Sequence, residues 1–379
     1  MSRLPNIVIA SLLVIVLALS FGSGFLFGQA RGPINLTGID IIDQAWNVIN
    51  SRYVDPSKLN SENMSRAAIE GIIDSLDDPY TFYLTADELY QFVSVIHREY
   101  PGIGAYVTLR DGNLAVVAPV PGSPAERAGI LPDDIVLEID GESIAGLTLE
   151  EAVDKIKGPE GTTVKLLILH TGETEPVIIE VTRAVIELPS VVYEMRQDIA
   201  YISIFQFTER TADELAKFIG QLTEDNAKGI VLDLRDNGGG LLDAAVNVAS
   251  QFLESGIVVT TRDRDGNVTE YRVNEDYPHT TLPMVVLVDE NSASSSEVLA
   301  GALQDYQRAT ISGNTTYGKG SAPIVFNLKD SSALNVTIAR WYTPLGRLIE
   351  GIGIEPDIKL DLNWEETIQW AIDYLSGNL

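Results

Sequence analysis

Cysteine is absent from all 379 residues, so no disulfide framework, thiol nucleophile or cysteine-ligated metal site can be built, whatever the redox state of the compartment. Histidine is scarce: His97, His170 and His279 lie far apart and none stands in a His-Glu-x-x-His spacing, which argues against a zinc hydrolase. No metal site and no cofactor are expected. Positive charge is also the minority, 26 basic against 54 acidic residues. The resulting net charge of −28 repels phosphate backbones and anionic lipid headgroups, so nucleic acid is not an expected partner. Internal repeats and low-complexity segments are lacking as well.

One long hydrophobic run is present, from Ile7 to Phe27, preceded by Arg3 as the only early charge. About 20 apolar residues span a bilayer, so the run suits an uncleaved signal anchor or a long signal peptide cut after Gly28-Gln29-Ala30. Either way the remainder is expected outside the cytoplasm, membrane-anchored or secreted, with the membrane met only through residues 1–30. The rest is too long for a single core and should divide into two or three domains.

From 31 to 98 apolar residues recur at helical spacing, as in Ile42, Ala45, Trp46 and Ile49 and again in Ala68, Ile69, Ile72, Ile73 and Leu76. Asp55-Pro56 and Asp77-Asp78-Pro79 should stop these helices, because the residue before proline is pushed out of the α region. Thr85, with Glu88 three residues on, predicts a capping box that opens another helix. From 99 to 185 the pattern changes to short strands over 104–109, 114–119, 135–139 and 164–169, with one helix over 149–156, which reads as a small separate module. From 186 to 379 strands and helices alternate: strands over 199–205, 229–234 and 284–288, helices over 212–222 and 242–252. That alternation predicts an α/β layer with a substantially parallel sheet.

Within the small module, Gly102-Ile103-Gly104-Ala105, the stretch Gly122-Ser123-Pro124-Ala125-Glu126-Arg127-Ala128-Gly129-Ile130 and Asp133-Asp134-Ile135-Val136-Leu137-Glu138-Ile139-Asp140-Gly141 resemble a PDZ domain. Such a module adds an extended peptide to a sheet edge and captures its terminal carboxylate with backbone amides. The resemblance places that loop at Gly102, Ile103, Gly104 and Ala105. Ile103 and Ala105, with Val153 and Ile156 of the following helix, would favour an apolar last side chain, and all four also suit an ordinary core.

The chemistry centres on a serine and a lysine. The apolar strand 284–288 runs through Asp289-Glu290-Asn291-Ser292-Ala293-Ser294-Ser295-Ser296-Glu297 into the helical face of Val298, Leu299, Ala302 and Leu303. A hydroxyl at such a strand-to-helix turn sits beside the positive helix terminus, where a developing oxyanion is favoured. Ser294-x-x-Glu297 is also a capping box, and on local pattern alone the cap is the commoner role. Lys319 stands between Gly318 and Gly320, which let other backbone approach closely. With no histidine near either motif in sequence, the lysine amine is the base available to a serine, provided it is neutral. Bringing a lysine from about 10.4 to near neutrality costs roughly 4 kcal/mol, which desolvation in an apolar pocket can supply, so burial is required. Gly313 to Gly320 nearly spells a P-loop, but Gly320 stands where the magnesium-binding Ser or Thr belongs, and Ala322 to Phe326 reads extended where a helix is needed.

Four separated motifs complete the pattern: Leu76-Asp77-Asp78-Pro79-Tyr80-Thr81-Phe82-Tyr83, the block from Val231 to Leu242 around Asp236-Asn237-Gly238-Gly239-Gly240, the serine segment with Gly301-Ala302-Leu303-Gln304-Asp305, and Tyr342-Thr343-Pro344-Leu345-Gly346-Arg347 with Gly353-Ile354-Glu355-Pro356-Asp357. Together they resemble the carboxyl-terminal processing, or tail-specific, proteases. That resemblance implies an α/β serine-protease core with an N-terminal helical region and an inserted PDZ-like module. It implies Ser294 as nucleophile, chosen from its serine neighbours by the family's interval to the base, and Lys319 as that base. It assigns Gly239 or Gly240, with the amide of Ser295, to the oxyanion hole, where the glycines alone read equally as a tight turn. The implied substrates are exported or membrane proteins with apolar C-termini. Family members often carry a glutamine four residues after the lysine, and here Pro323 stands there. A bare Ser-Lys dyad and a proteolytically silent peptide-binding adaptor are both compatible with that change. Oligomeric state stays open, a homodimer included.

Overall fold

The computed structural model describes residues 37–110 and 112–377, so the export segment expected over 1–30 lies outside the described residues. No helix among the described residues is long and apolar enough to cross a membrane. The chain enters through α1 (Thr37–Arg52), α2 (Ser61–Asp74), the short strand β1 (Phe82–Leu84) and α3 (Ala86–His97). Both first helices end ahead of the prolines, as the sequence implies. The box at Thr85 is closed on both sides: Glu88 N–H donates to Thr85 Oγ1 at 3.2 Å and Thr85 N–H to Glu88 Oε2 at 2.8 Å.

The small module follows as β2 (Glu99–Gly102), β3 (Ala105–Arg110), β4 (Asn113–Pro119), α4 (Pro124–Arg127), β5 (Ile135–Ile139), β6 (Glu142–Ser143), α5 (Leu149–Ile156), β7 (Thr163–Leu169), β8 (Val177–Thr182) and β9 (Ala184–Glu187). Its antiparallel sheet has the order β3-β4-β5-β7-β8, with β6 on β5. Strand β7 shows why it forms: Val164, Leu166 and Ile168 are wholly buried and alternate with more exposed neighbours, the period of two that gives a strand one apolar face. These side chains join Leu114, Val116, Val136 and Ile139 in a core of their own. β2 pairs with β9, so the module's entry and exit form a two-stranded stem.

The remaining elements are β10 (Val191–Arg196), β11 (Ile199–Ile204), α6 (Thr211–Gln221), β12 (Gly229–Asp233), α7 (Leu242–Ala249), β13 (Ile257–Asp263), β14 (Val268–Arg272), β15 (Met284–Val288), α8 (Ser295–Asp305), β16 (Thr310–Gly313), β17 (Ser321–Asn327), β18 (Ala333–Tyr342), β19 (Ile358–Lys359) and α9 (Trp364–Leu375). The sheet β10-β11-β12-β15-β16-β19 is parallel except at the β10 edge. Strands β12 and β15 are buried along their whole length, which explains the apolar runs Ile230-Val231-Leu232 and Met284 to Val288. Ile230 and Leu232 face the large core with α6, α7 and α8, while Val231 faces Ile368, Ala371 and Ile372 of α9.

A second sheet was not foreseen. It is antiparallel, with β18 at its centre, β17 on one side and β1 and β13 on the other, and β14 beyond β13. Phe82 pairs with Asn335 and Leu84 with Ala333, a register joining the two ends of the chain that no local pattern reveals. The helix expected over 242–252 closes at Ala249, where the Ser250 hydroxyl turns back to the Val246 carbonyl at 2.7 Å.

Candidate active site

Strand β15 delivers the chain to a turn at the carboxyl end of the parallel sheet, and α8 leaves it. At that turn Ser294 has φ +59° and ψ −118°, a positive-φ backbone that costs a non-glycine residue about 1–3 kcal/mol and resembles the strained elbow that presents a nucleophile in α/β-hydrolases. Three neighbouring hydroxyls are engaged with the facing loop: Ser292 Oγ donates to the Leu234 carbonyl at 2.8 Å, Ser295 Oγ to Gly240 at 3.0 Å and Ser296 Oγ to Asn237 at 2.8 Å. Ser294 Oγ is buried and has no hydrogen-bond partner among the described residues.

Glu297 supplies its half of the capping box, accepting the Ser294 N–H. Glu297, fully buried, receives the Ser294 N–H and the Lys319 N–H on Oε2, each at 2.8 Å, and the Thr316 hydroxyl and Gly318 N–H on Oε1 at 2.5 and 2.7 Å. One oxygen thus holds the amide nitrogens of Ser294 and Lys319 within twice 2.8 Å of each other. Burial raises the Glu297 carboxyl above its ordinary range, and the four donors pull it back. Because those donors fill the acceptor positions of both oxygens, the carboxylate is the form that fits.

Lys319 is 1% exposed, and burial lowers its amine from 10.5 to about 7, against the pull of Glu297, Glu350 and Asp78 toward the charged form. The flanking glycines act as their positions suggest. A Cβ on Gly320 would stand 2.2 Å from Glu350 N, and Gly318, at φ +86°, packs on backbone of Gly351 to Gly353. The Nζ atom lies over the ring of Tyr80, 5.1 Å from its centroid. Sequence reasoning gave Tyr80 no role; its only signal was membership of the 76–83 motif. Pro323 is buried in β17 at a register irregularity opposite Thr337.

The glycine loop faces the serine turn so tightly that a Cβ on Gly239 would fall 2.7 Å from Ser294 Cβ, and one on Gly240 only 2.1 Å from the Phe207 carbonyl oxygen. The Gly239 N–H donates to Asn237 Oδ1 at 2.8 Å. The N–H groups of Gly240 and Ser295 have no acceptor among the described residues, and Ser295 opens α8.

In the small module Gly102, Ile103, Gly104 and Ala105 come together with Val153 and Ile156 in one apolar cavity of about 170 Å³, which Tyr100, Tyr106, Val120 and Ile186 also line. The Ile103 and Gly104 carbonyls accept from Ala125 and Val120 N–H at 2.8 and 2.9 Å, while their own N–H groups have no acceptor among the described residues. Gly104 sits at φ +76°, against Ser123, whose hydroxyl binds its carbonyl at 2.8 Å.

The chain is similar to known proteins over most of its length. Residues 198–360 match the model of peptidase family S41, 116–169 that of a PDZ domain and 29–88 that of the activating protease CtpB N-terminal domain. A carboxy-terminal-processing protease of Bartonella bacilliformis is 40% identical over 307 residues, covering 80% of this chain and 70% of that protein. A probable CtpA-like serine protease of Staphylococcus haemolyticus is 37% identical over 321 residues, 84% of this chain but 64% of that protein, so the chain spans somewhat less than two thirds of the staphylococcal relative. Among solved structures, the photosystem II D1 C-terminal processing protease aligns with a TM-score of 0.53 and 29% identity, over 86% of this chain and 93% of that one. A putative S41 protease from Bacteroides fragilis aligns at 0.55 and 19% identity, over 93% of this chain and all of that one, a likeness of fold.

Proposed function

The chain belongs to peptidase family S41, the carboxy-terminal-processing serine peptidases, and from that premise we propose that it is an endopeptidase in which Ser294 attacks the peptide and Lys319 is the general base. Ser294 Oγ adds to the scissile carbonyl carbon as its proton passes to Lys319 Nζ. The tetrahedral oxyanion takes the N–H groups of Gly240 and Ser295, and the helix terminus favours its charge. Collapse breaks the C–N bond, and the ammonium returns the proton to the leaving amine. Water then attacks the acyl ester with the same lysine as base, releasing the acid and restoring the serine. Gly239 supports this hole by leaving room beside Ser294, since its own N–H is committed to Asn237.

The observation that carries the reading is the Glu297 bracket, which sets a hydroxyl with no partner among the described residues and a buried amine on one support. In the small module the open amides of Ile103 and Gly104 suit a terminal carboxylate, and the cavity beside them an apolar last side chain. Ser294 is wholly buried, so a substrate reaches it only when the covering structure gives way. Docking of a substrate's C-terminus on the module is the event we propose for that opening. Export by residues 1–30 would put this work outside the cytoplasm.

The test is incubation with an unstructured protein ending in apolar residues, beside Ser294→Ala and Lys319→Ala. Cleavage should fall at least ~10³-fold in both, with affinity for a tail peptide unchanged. Binding without cleavage by the unaltered protein would instead support the silent adaptor that Pro323 makes conceivable.

A further inference from the structure

The turn at residues 78–81 is built to hold one side chain against the lysine. Asp78 fixes it, accepting from Tyr80 N–H at 3.0 Å and from the Thr81 hydroxyl at 2.8 Å. Strand β18 grips it from the other side: Asn335 Nδ2 donates to the Tyr80 carbonyl at 2.8 Å, and Thr337 N–H donates to Thr81 Oγ1 at 3.1 Å. Tyr80 leads into β1 and Lys319 into β17, and these strands pair with opposite sides of the same β18, so the ring and the amine are carried by one sheet.

We propose that Tyr80 is a positioning residue for Lys319, its ring serving as an uncharged wall that keeps water from the resting amine and steadies the ammonium formed when the amine takes the Ser294 proton. The inference rests on the serine and lysine roles proposed above. Its logic is one of magnitudes. A base that must be neutral at rest and positive in the transition state is poorly served by a further bare carboxylate, which would hold the proton permanently. Among the described residues, the charged and titratable groups around it are Glu297, Glu350 and Asp78 about the lysine and Tyr317 beside Tyr80. Each carboxylate is tied to other donors: Glu297 to four, Asp78 to two, and Glu350 to the Ser321 hydroxyl at 2.9 Å and, at 3.9 Å, to Arg340. An aromatic face attracts a cation by about 0.5–2 kcal/mol. That is too little to overturn the desolvation that keeps the amine neutral, yet enough to speed proton transfer about 2- to 30-fold. Burial raises the Tyr80 hydroxyl above its ordinary range, so the ring stays uncharged through the working pH range.

The experiment compares Tyr80→Phe, Tyr80→Leu and Tyr80→Ala in the full chain, reading kcat and the pH profile of kcat/KM, with circular dichroism to confirm folding. Phenylalanine keeps the face and should stay within about threefold of the parent. Leucine keeps the wall dry but has no π face: kcat should drop ~10-fold and the acid limb should move down by about half to one pH unit. Alanine admits water and should move the limb up. Opposite displacements for leucine and alanine are the signature. The inference is overturned if the limb stays fixed in both, or if Tyr80→Phe is as impaired as Tyr80→Leu. Ser294→Ala and Lys319→Ala controls separate the two readings: if those retain activity, the base assignment itself fails, whereas inactive controls beside an indifferent Tyr80 sink only the present inference.

Discussion

The serine–lysine centre and the apolar cavity of the small module solve opposite problems. At the centre, side chains are buried, backbone is strained at Ser294, and four donors converge on Glu297, while the Ser294 hydroxyl and the Gly240 and Ser295 amides have no partner among the described residues. In the cavity the one positive φ falls on a glycine, which adopts it without strain, the lining is apolar, and the open donors are backbone. One region holds reactive groups in costly states; the other offers a preformed surface at little cost. Changes at the first should therefore move stability and kcat, and changes at the second KM alone.

The largest effect is expected from Lys319→Met. Cleavage should disappear, yet the protein should become more stable, because a buried amine has been removed. The sign follows from proton binding. Burial lowers the folded-state value from 10.5 to about 7, so between those values the unfolded chain holds a proton the folded one lacks, and stability rises with pH across that window. Below pH 7 both states are protonated and the full cost is present, on the order of 4 kcal/mol. Thermal melts should show a gain for the methionine variant at pH 7 that dwindles toward pH 10; a gain independent of pH would break the contrast. In the parent protein kcat/KM should climb with pH through about 7 as the amine loses its proton.

Next in size is Glu297→Ala, which strands four buried donors at once. A loss of about 3–5 kcal/mol is expected together with activity, measurable by denaturant unfolding. Glu297→Gln keeps two of the acceptor positions and should cost less stability but still disturb kcat. If Glu297→Ala left both quantities near the parent, the bracket would not be what joins the serine to the lysine.

Much of this was legible beforehand because it is local. The apolar run of β15, the serines after it and the amphipathic start of α8 lie within twenty residues, and the glycines beside Lys319 announced a close backbone approach that the structure contains. The capping box at Thr85 follows from a three-residue spacing and is present. Tyr80 and the second sheet were hidden for the opposite reason: the pairing of β1 with β18 joins sequence-distant segments, and β1 is only three residues long. Glu297 was visible as a cap, but the second half of its work reaches Thr316, Gly318 and Lys319, which only the folded chain brings near.

The smallest effect tests the other side of the comparison. Val153 is half-buried on α5 and lines the peptide cavity without belonging to the module's buried core. Val153→Ser removes apolar surface worth about 1 kcal/mol to a bound side chain, so KM for a substrate with an apolar C-terminus should rise about 5- to 10-fold. Because the cavity makes no bond to the reacting atoms, kcat at saturation should hold. A substrate ending in a polar residue should lose less. A fall in kcat with unchanged KM would mean that this wall of the cavity acts on the chemistry after docking and not only on the docking itself, and the division between a costly reactive region and an inexpensive recognition region would have to be redrawn.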